Sequence, residues 1–186
     1  MTLFDQALPT VLRHEGVFSN DPQDPGGPTK YGLSLREVAR QFREDGVHVH
    51  DPLFDALDVD DDGDVDLEDV RRWDLAAVGA YLKRYFWSPA YDRLTSPEIA
   101  TKLFDTAVNM GPKAAHQLLQ QALRRLGYPV IVDGILGENT LAAANQAAGQ
   151  LLLEFRACQA ERYARIVLNR SASARFLSGW MRRAVS

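Results

Sequence analysis

The sequence predicts a mainly α-helical protein with a small β element near residues 17–33. Three observations support this. Apolar side chains recur at helical spacing through successive stretches, many of them opened by a capping residue or proline and closed by glycine. Between Gly16 and Gly32 prolines and glycines crowd together instead, so the chain there must follow turns rather than a helix. No Pro- or Ser-rich linker separates the halves, which points to one compact body of two lobes with a cleft between them.

At 186 residues, 46% hydrophobic and 25% charged, the chain has the composition of an ordinary soluble globular protein, with no membrane span. Met1-Thr2-Leu3-Phe4-Asp5-Gln6 lacks the basic and apolar regions of a secretory signal, so synthesis in the host cytoplasm without a signal peptide is expected. Cys158 is the single cysteine and reads as a small core residue. Residues 58–69 contribute eight acids to a net charge of −4, and residues 101–186 hold eleven Lys/Arg against five Asp/Glu. A basic half suits an anionic polymer, either a bacterial wall or nucleic acid, and the lack of any nucleic-acid motif favours the wall.

Thr2 and Asp5 open the first helix, with Leu3, Phe4, Ala7, Leu8, Val11 and Leu12 on its apolar face. Pro9 either kinks this helix or marks a shorter one starting there. Glu15 stands where the pattern runs out, near the negative end of the helix, where the field raises a carboxyl pKa toward that of a general acid. Asp21 and Asp24 follow. Asp24 precedes Pro25-Gly26-Gly27, which turns the chain back, and Thr29 lies beyond it. Two carboxylates and a hydroxyl on one short loop are able to flank a glycosidic bond, an acid on one side and a base or nucleophile on the other. Without chemistry, the same aspartates cap turns and Glu15 ends a helix.

Ser34-Leu35-Arg36-Glu37 is a capping box for a second helix that Gly46 stops. Val47-His48-Val49-His50 alternates like a short surface strand, too poor in ligands to begin a metal site. The acidic run is more specific. With Asp58 at position one of a twelve-residue loop, Asp60, Asp62, Asp64 and Asp66 fall at three, five, seven and nine, Gly63 at six, Val65 at eight and Asp69 at twelve. This reads as a structural calcium loop. Asp69 stands where glutamate is usual, so weaker calcium binding or more magnesium tolerance is expected. A solvated acidic loop is the alternative, at the expense of like-charge repulsion.

Asp74 caps a helix running to Trp87, and Ser88-Pro89 ends it; Trp87 and Tyr91, beside this breaker, are candidate sugar-stacking residues against a default of core burial. Ser96-Pro97 opens another helix closed by Met110-Gly111, Pro112 begins the next, and Gly127 stops it. A long helix is expected from about Gln150 to Leu168, followed by a basic C-terminal region.

The run Glu15-Gly16-x-Phe18-Ser19-x-Asp21-Pro22-x-Asp24-x-Gly26-Gly27-Pro28-Thr29-x-Tyr31-Gly32 resembles the signature of glycoside hydrolase family 108, the N-acetylmuramidases of phage endolysins and prophages. Val17 departs from it, since the family more often has a second glycine there. The spacing Glu, eight residues, Asp, four residues, Thr is similar to the triad of T-even-type phage lysozymes, which is one residue longer between Asp and Thr. Phe104-Asp105-x-Ala107-Val108-Asn109-x-Gly111-Pro112 and Val132-Asp133-Gly134-Ile135-Leu136-Gly137-x-x-Thr140 look like the peptidoglycan-binding-type helical region that follows in that family. The resemblance implies a lysozyme-like two-lobed fold, with residues 1–95 catalytic, including loop 58–69, and residues 96–186 forming the second lobe.

It further implies an enzyme that cleaves the β-1,4 bond between N-acetylmuramic acid and N-acetylglucosamine. Glu15 would be the general acid, Asp24 or else Asp21 the second carboxylate, Thr29 the residue that positions water, and Tyr31 and Asn109 substrate contacts. A lytic transglycosylase and a chitin hydrolase are the enzymatic alternatives, and a non-catalytic, calcium-stapled wall-binding protein is the alternative of another class. A monomer is expected, reaching the wall either as an endolysin released through a holin or as an effector exported by a dedicated apparatus.

Overall fold

The computed structural model describes residues 1–13, 18–19 and 28–186. Among them helix dominates: α1 (Leu3–Leu12), α2 (Leu35–Asp45), α3 (Pro52–Leu57), α4 (Leu67–Arg72), α5 (Leu75–Phe86), α6 (Pro97–Met110), α7 (Pro112–Arg125), α8 (Glu138–Gln146), α9 (Ala148–Asn169) and α10 (Leu177–Val185). Strands β1 (Phe18–Ser19), β2 (Thr29–Lys30) and β3 (Leu33–Ser34) form one antiparallel sheet in that order. The expected class, mainly helical with a small β element, is what the chain adopts. It divides into two compact units, one of Leu12–Tyr85 and one of Met1–Val11 with Phe86–Ser186.

In the unit of residues 12–85, β2 and β3 are joined by Tyr31 and Gly32, with φ of 50° and 77°. Two consecutive positive φ values make a type I′ turn, whose twist matches that of the strands it joins. The Ser34 hydroxyl accepts the Glu37 N–H at 3.1 Å and starts α2. The core includes Val38, Phe42, Phe54, Leu57, Val70 and Tyr81, together with the fully buried Trp73, whose indole N–H donates to the Leu57 carbonyl at 2.8 Å.

Residues 47–50 correct the strand expectation. They turn, because His50 adopts φ 75° and Asp51 at once caps α3 by accepting the Leu53 N–H. Alternation over four residues cannot make a strand without a partner to pair with.

In the other unit α1 runs through Pro9, and Thr2 and Asp5 cap it reciprocally, each accepting the other's backbone N–H. Its Phe4 ring meets Trp87 and Phe104 at 5.4 and 5.5 Å between centroids. The middle of α6 is buried from Leu103 to Ala107, including Asp105, whose Oδ1 accepts the Nε–H of the buried Arg183 on α10 at 2.9 Å. Buried Lys102 lies 3.8 Å from Asp105 Oδ2 and donates to the Arg183 carbonyl.

Candidate functional site

Glu15, Asp21 and Asp24 lie outside the described residues. Thr29 and Tyr31 are within them, on the β2–β3 hairpin. Thr29 is partly buried and sits opposite Ser19 of β1 and Ser34 of β3. Tyr31 holds a left-handed conformation that is uncommon for a bulky residue and carries strain on the order of 1 kcal/mol or more. Between them, Lys30 donates from Nζ to the Arg71 carbonyl of α4 at 2.6 Å, which ties the hairpin to the helix leaving the acidic loop.

That loop connects α3 to α4, so the acids sit in a helix–loop–helix. The chain bends at Asp61 and Gly63, with φ of 60° and 94°, and glycine is the residue that takes the second value without steric cost. Backbone N–H groups then gather the carboxylates. Asp58 accepts from Asp62 and Gly63 at 3.2 and 3.0 Å, and Asp62 accepts from Asp64 at 3.2 Å. Asp69, fully buried, accepts from Val59 at 2.6 Å through Oδ1 and from Asp66 at 2.8 Å through Oδ2. With Asp66 as N-cap this closes a capping box on α4.

The result is convergence. Oxygens of Asp58, Asp60 and Asp69 lie within 4.8 Å of one another, as do those of Asp64, Asp66 and Asp69. Arg72 reaches Asp60 Oδ2 at 2.9 Å, yet Asp60 Oδ1 is buried without a hydrogen-bond partner. Burial, with Asp62 and Asp69 nearby, raises the Asp60 pKa, and Asp62 raises that of Asp64. An orphaned buried oxygen among converging carboxylates is what a hard cation with oxygen ligands would satisfy. The donor set therefore fits calcium.

Trp87 and Tyr91, the candidate sugar-stacking residues, have their rings packed in the core. Trp87 packs edge-on against Phe4, Tyr91 and Phe104, and Tyr91 has no exposed surface. The Tyr91 hydroxyl bonds His116 Nε2 at 2.8 Å, and His116 Nδ1 lies 2.9 Å from the Gly134 carbonyl. The carbonyl requires the proton on Nδ1, which leaves Nε2 to accept from the tyrosine, and burial lowers the His116 pKa in keeping with a neutral ring. Asn109 is exposed on α6, and its Oδ1 accepts the Tyr163 hydroxyl at 2.7 Å.

Sequence reasoning missed two clusters. One is Lys102, Asp105 and Arg183: the first two share i, i+3 spacing on α6, but nothing local links them to Arg183, 78 residues beyond Asp105. The other is a stack of Arg175, Phe176, Trp180 and Tyr163, foreshadowed only by the i, i+4 spacing of Phe176 and Trp180.

A family model described as Glycosyl hydrolase 108 matches residues 8–111, more than half of the chain. A second, described as a predicted peptidoglycan domain, matches residues 114–185. The solved structure of Brucella abortus SagA superposes with a TM-score of 0.66 at 24% identity, covering 98% of this chain and 89% of that one, a likeness of fold. No curated protein matches the sequence. Among the described residues no helix is long and apolar enough to cross a membrane.

Proposed function

Because the chain belongs to the glycosyl hydrolase 108 family and joins that domain to a peptidoglycan domain, we propose that it hydrolyses the β-1,4 bond between N-acetylmuramic acid and N-acetylglucosamine in bacterial peptidoglycan. The observation that carries this reading is the family match over residues 8–111, which spans Glu15, Asp24, Thr29 and Tyr31. Glu15 protonates the glycosidic oxygen as the bond breaks. Asp24 acts from the other side as base or nucleophile, Thr29 orients the water, and Tyr31 and Asn109 contact the glycan. Asp21 shapes the turn. The strained backbone at Tyr31 supports a role for that side chain, since such strain gathers at working sites.

Calcium, held by Asp58, Asp60, Asp62, Asp64, Asp66 and Asp69, neutralises the loop and takes no part in bond cleavage. Its support is the buried, unpartnered Asp60 Oδ1. Since Lys30 bonds the helix that leaves this loop, an ordered loop also steadies the hairpin bearing Thr29 and Tyr31.

The test is digestion of purified sacculi with mass analysis of the products. Reducing N-acetylmuramic acid ends are expected; anhydro ends would convert the reading to a transglycosylase, and peptide fragments would end it. Glu15→Gln is expected to cost roughly 10²–10⁴ in rate with thermal unfolding unchanged. Asp24→Asn should cost activity and Asp21→Asn stability; the reverse pattern exchanges the two assignments.

A further inference from the structure

Residues 162–186 contain six arginines and no acid. Within this stretch three rings stack in series. Tyr163 lies against Trp180 with centroids 5.1 Å apart and planes 19° apart, and Trp180 lies against Phe176 at 5.8 Å and 29°. The foot of the ladder is buried: Tyr163 is 1% exposed and is held by Gln159 Nε2 on one side and Asn109 Oδ1 on the other. Its head is open, with Phe176 at 47% exposed. Over that outermost ring sits the Arg175 guanidinium, 4.6 Å from the centroid.

What this ladder offers a ligand is decided by the last contact. A guanidinium already over the exposed ring leaves a poor platform for a sugar, while Arg175 is itself exposed, so its N–H groups are accessible from solvent. A carboxylate takes two parallel hydrogen bonds from such a group. Stacking also restrains a long side chain beforehand, so less freedom is lost when the ligand arrives. Among the described residues Arg175 has no acidic partner, whereas Arg40, Arg84, Arg93 and Arg125 each pair with a glutamate or aspartate. Exposed Arg170 and Arg182 add to the positive field of this stretch.

We propose that Arg175, held on the Phe176–Trp180–Tyr163 ladder, is a docking point for the stem-peptide carboxylates of peptidoglycan. The inference rests on the wall reading above. In an intact wall the lactyl carboxyl group of a substituted N-acetylmuramic acid is consumed in its amide bond to the stem, so free carboxylates are found on the peptides. That is the anion to which an arginine fork without an acid partner is complementary.

The experiment uses the full chain in the Glu15→Gln background, so that sacculi stay whole while binding is measured by co-sedimentation. The Arg175→Gln variant is expected to bind intact sacculi roughly tenfold more weakly, as loss of a charge-assisted hydrogen-bonded pair implies. Its unfolding midpoint should not move, and in the Glu15 background it should cleave a soluble oligosaccharide unchanged. Arg175→Lys should recover little, because a point charge lacks the fork, and Phe176→Leu should fall between. Sacculi whose carboxylates have been converted to amides should hold the parent no better than intact sacculi hold Arg175→Gln. The proposal is overturned if Arg175→Gln binds like the parent, or if the parent holds amidated sacculi, or strands stripped of their stems, as tightly as intact ones. Failure of the parent to bind intact sacculi at all removes the wall reading itself, and this inference with it.

Discussion

Charge is handled in opposite ways by the acidic loop of residues 58–69 and by the cluster of Lys102, Asp105 and Arg183. In the cluster, opposite charges answer one another inside the protein. Arg183 bonds Asp105, Lys102 bonds the Arg183 carbonyl, and burial pulls the Lys102 ammonium down to about 8 while Asp105 opposes that shift. In the loop, backbone N–H groups draw like charges together, and one buried oxygen is left without a partner. Asp105 Oδ2 is also buried without a hydrogen bond, but it faces the Lys102 ammonium at 3.8 Å. The difference lies in the neighbours, cations around a carboxylate in the cluster and carboxylates around a carboxylate in the loop. Only the second arrangement calls for an added cation.

The largest effect is expected from breaking the matched cluster. Asp105→Leu leaves two buried cations without their carboxylate and should lower stability by about 3 kcal/mol or more in a urea titration. Asp61→Asn, on the exposed rim of the loop and of a residue type that tolerates its φ of 60°, should change it by less than about 0.5 kcal/mol. Equal losses at the two positions would erase the distinction.

Removing calcium ranks second. At a hundredfold excess over its dissociation constant an ion bound to the native state contributes about 2.7 kcal/mol, so chelation should lower the melting temperature by about 5–10 °C. Asp58→Ala should abolish that response. A wild-type chain indifferent to chelator in a thermal melt would return the loop to solvated acids.

The same loop predicts a pH dependence of known sign. Without the ion, Asp60 and Asp64 have raised pKa values, so the folded state holds their protons more tightly than the unfolded chain does. Their contribution is present below the ordinary value near 3.8 and is lost as pH rises through the raised folded values. Calcium requires these carboxylates ionised, which reverses the trend. The rise in melting temperature on adding calcium should therefore be small near pH 4 and grow toward a plateau by pH 7, whereas a constant increment would separate these carboxylates from the ion.

Exposed pairs set the lower end of the scale. Arg40 bridges Glu37 and Glu44 along α2, each at 2.5 Å, with all three side chains largely in water. Arg40→Gln should move the melting temperature by less than about 2 °C, and added salt should shrink even that.

Much of this chain answers to rules that act over a few residues. The Ser34 cap, the reciprocal Thr2 and Asp5 cap, Pro97 and Pro112 in first turns, and Gly63 at the bend of the acidic loop all stand where the sequence places them. Each depends on neighbours within about four positions. Asp51-Pro52 marks the start of α3 in the same way, as N-cap and first-turn proline.

By itself, then, the sequence determined the helical class, the placement of most helix ends, a small β element near residues 17–33 and the spacing of the acidic loop, because caps, turns and helical period are local physics. Only the tertiary structure decided which side chains meet. The apolar period around Trp87 marks a buried stripe, but whether a ring face stays open to a sugar depends on Phe4 and Phe104 arriving from elsewhere in the chain. Asp105 gives no local sign of its partner, since Arg183 lies 78 residues further on. In the Arg175 ladder the i, i+4 spacing brings Phe176 to Trp180, but tertiary packing sets Tyr163 against them. A contact between distant residues reflects the balance of all the surfaces buried together, and no short stretch of sequence carries that balance.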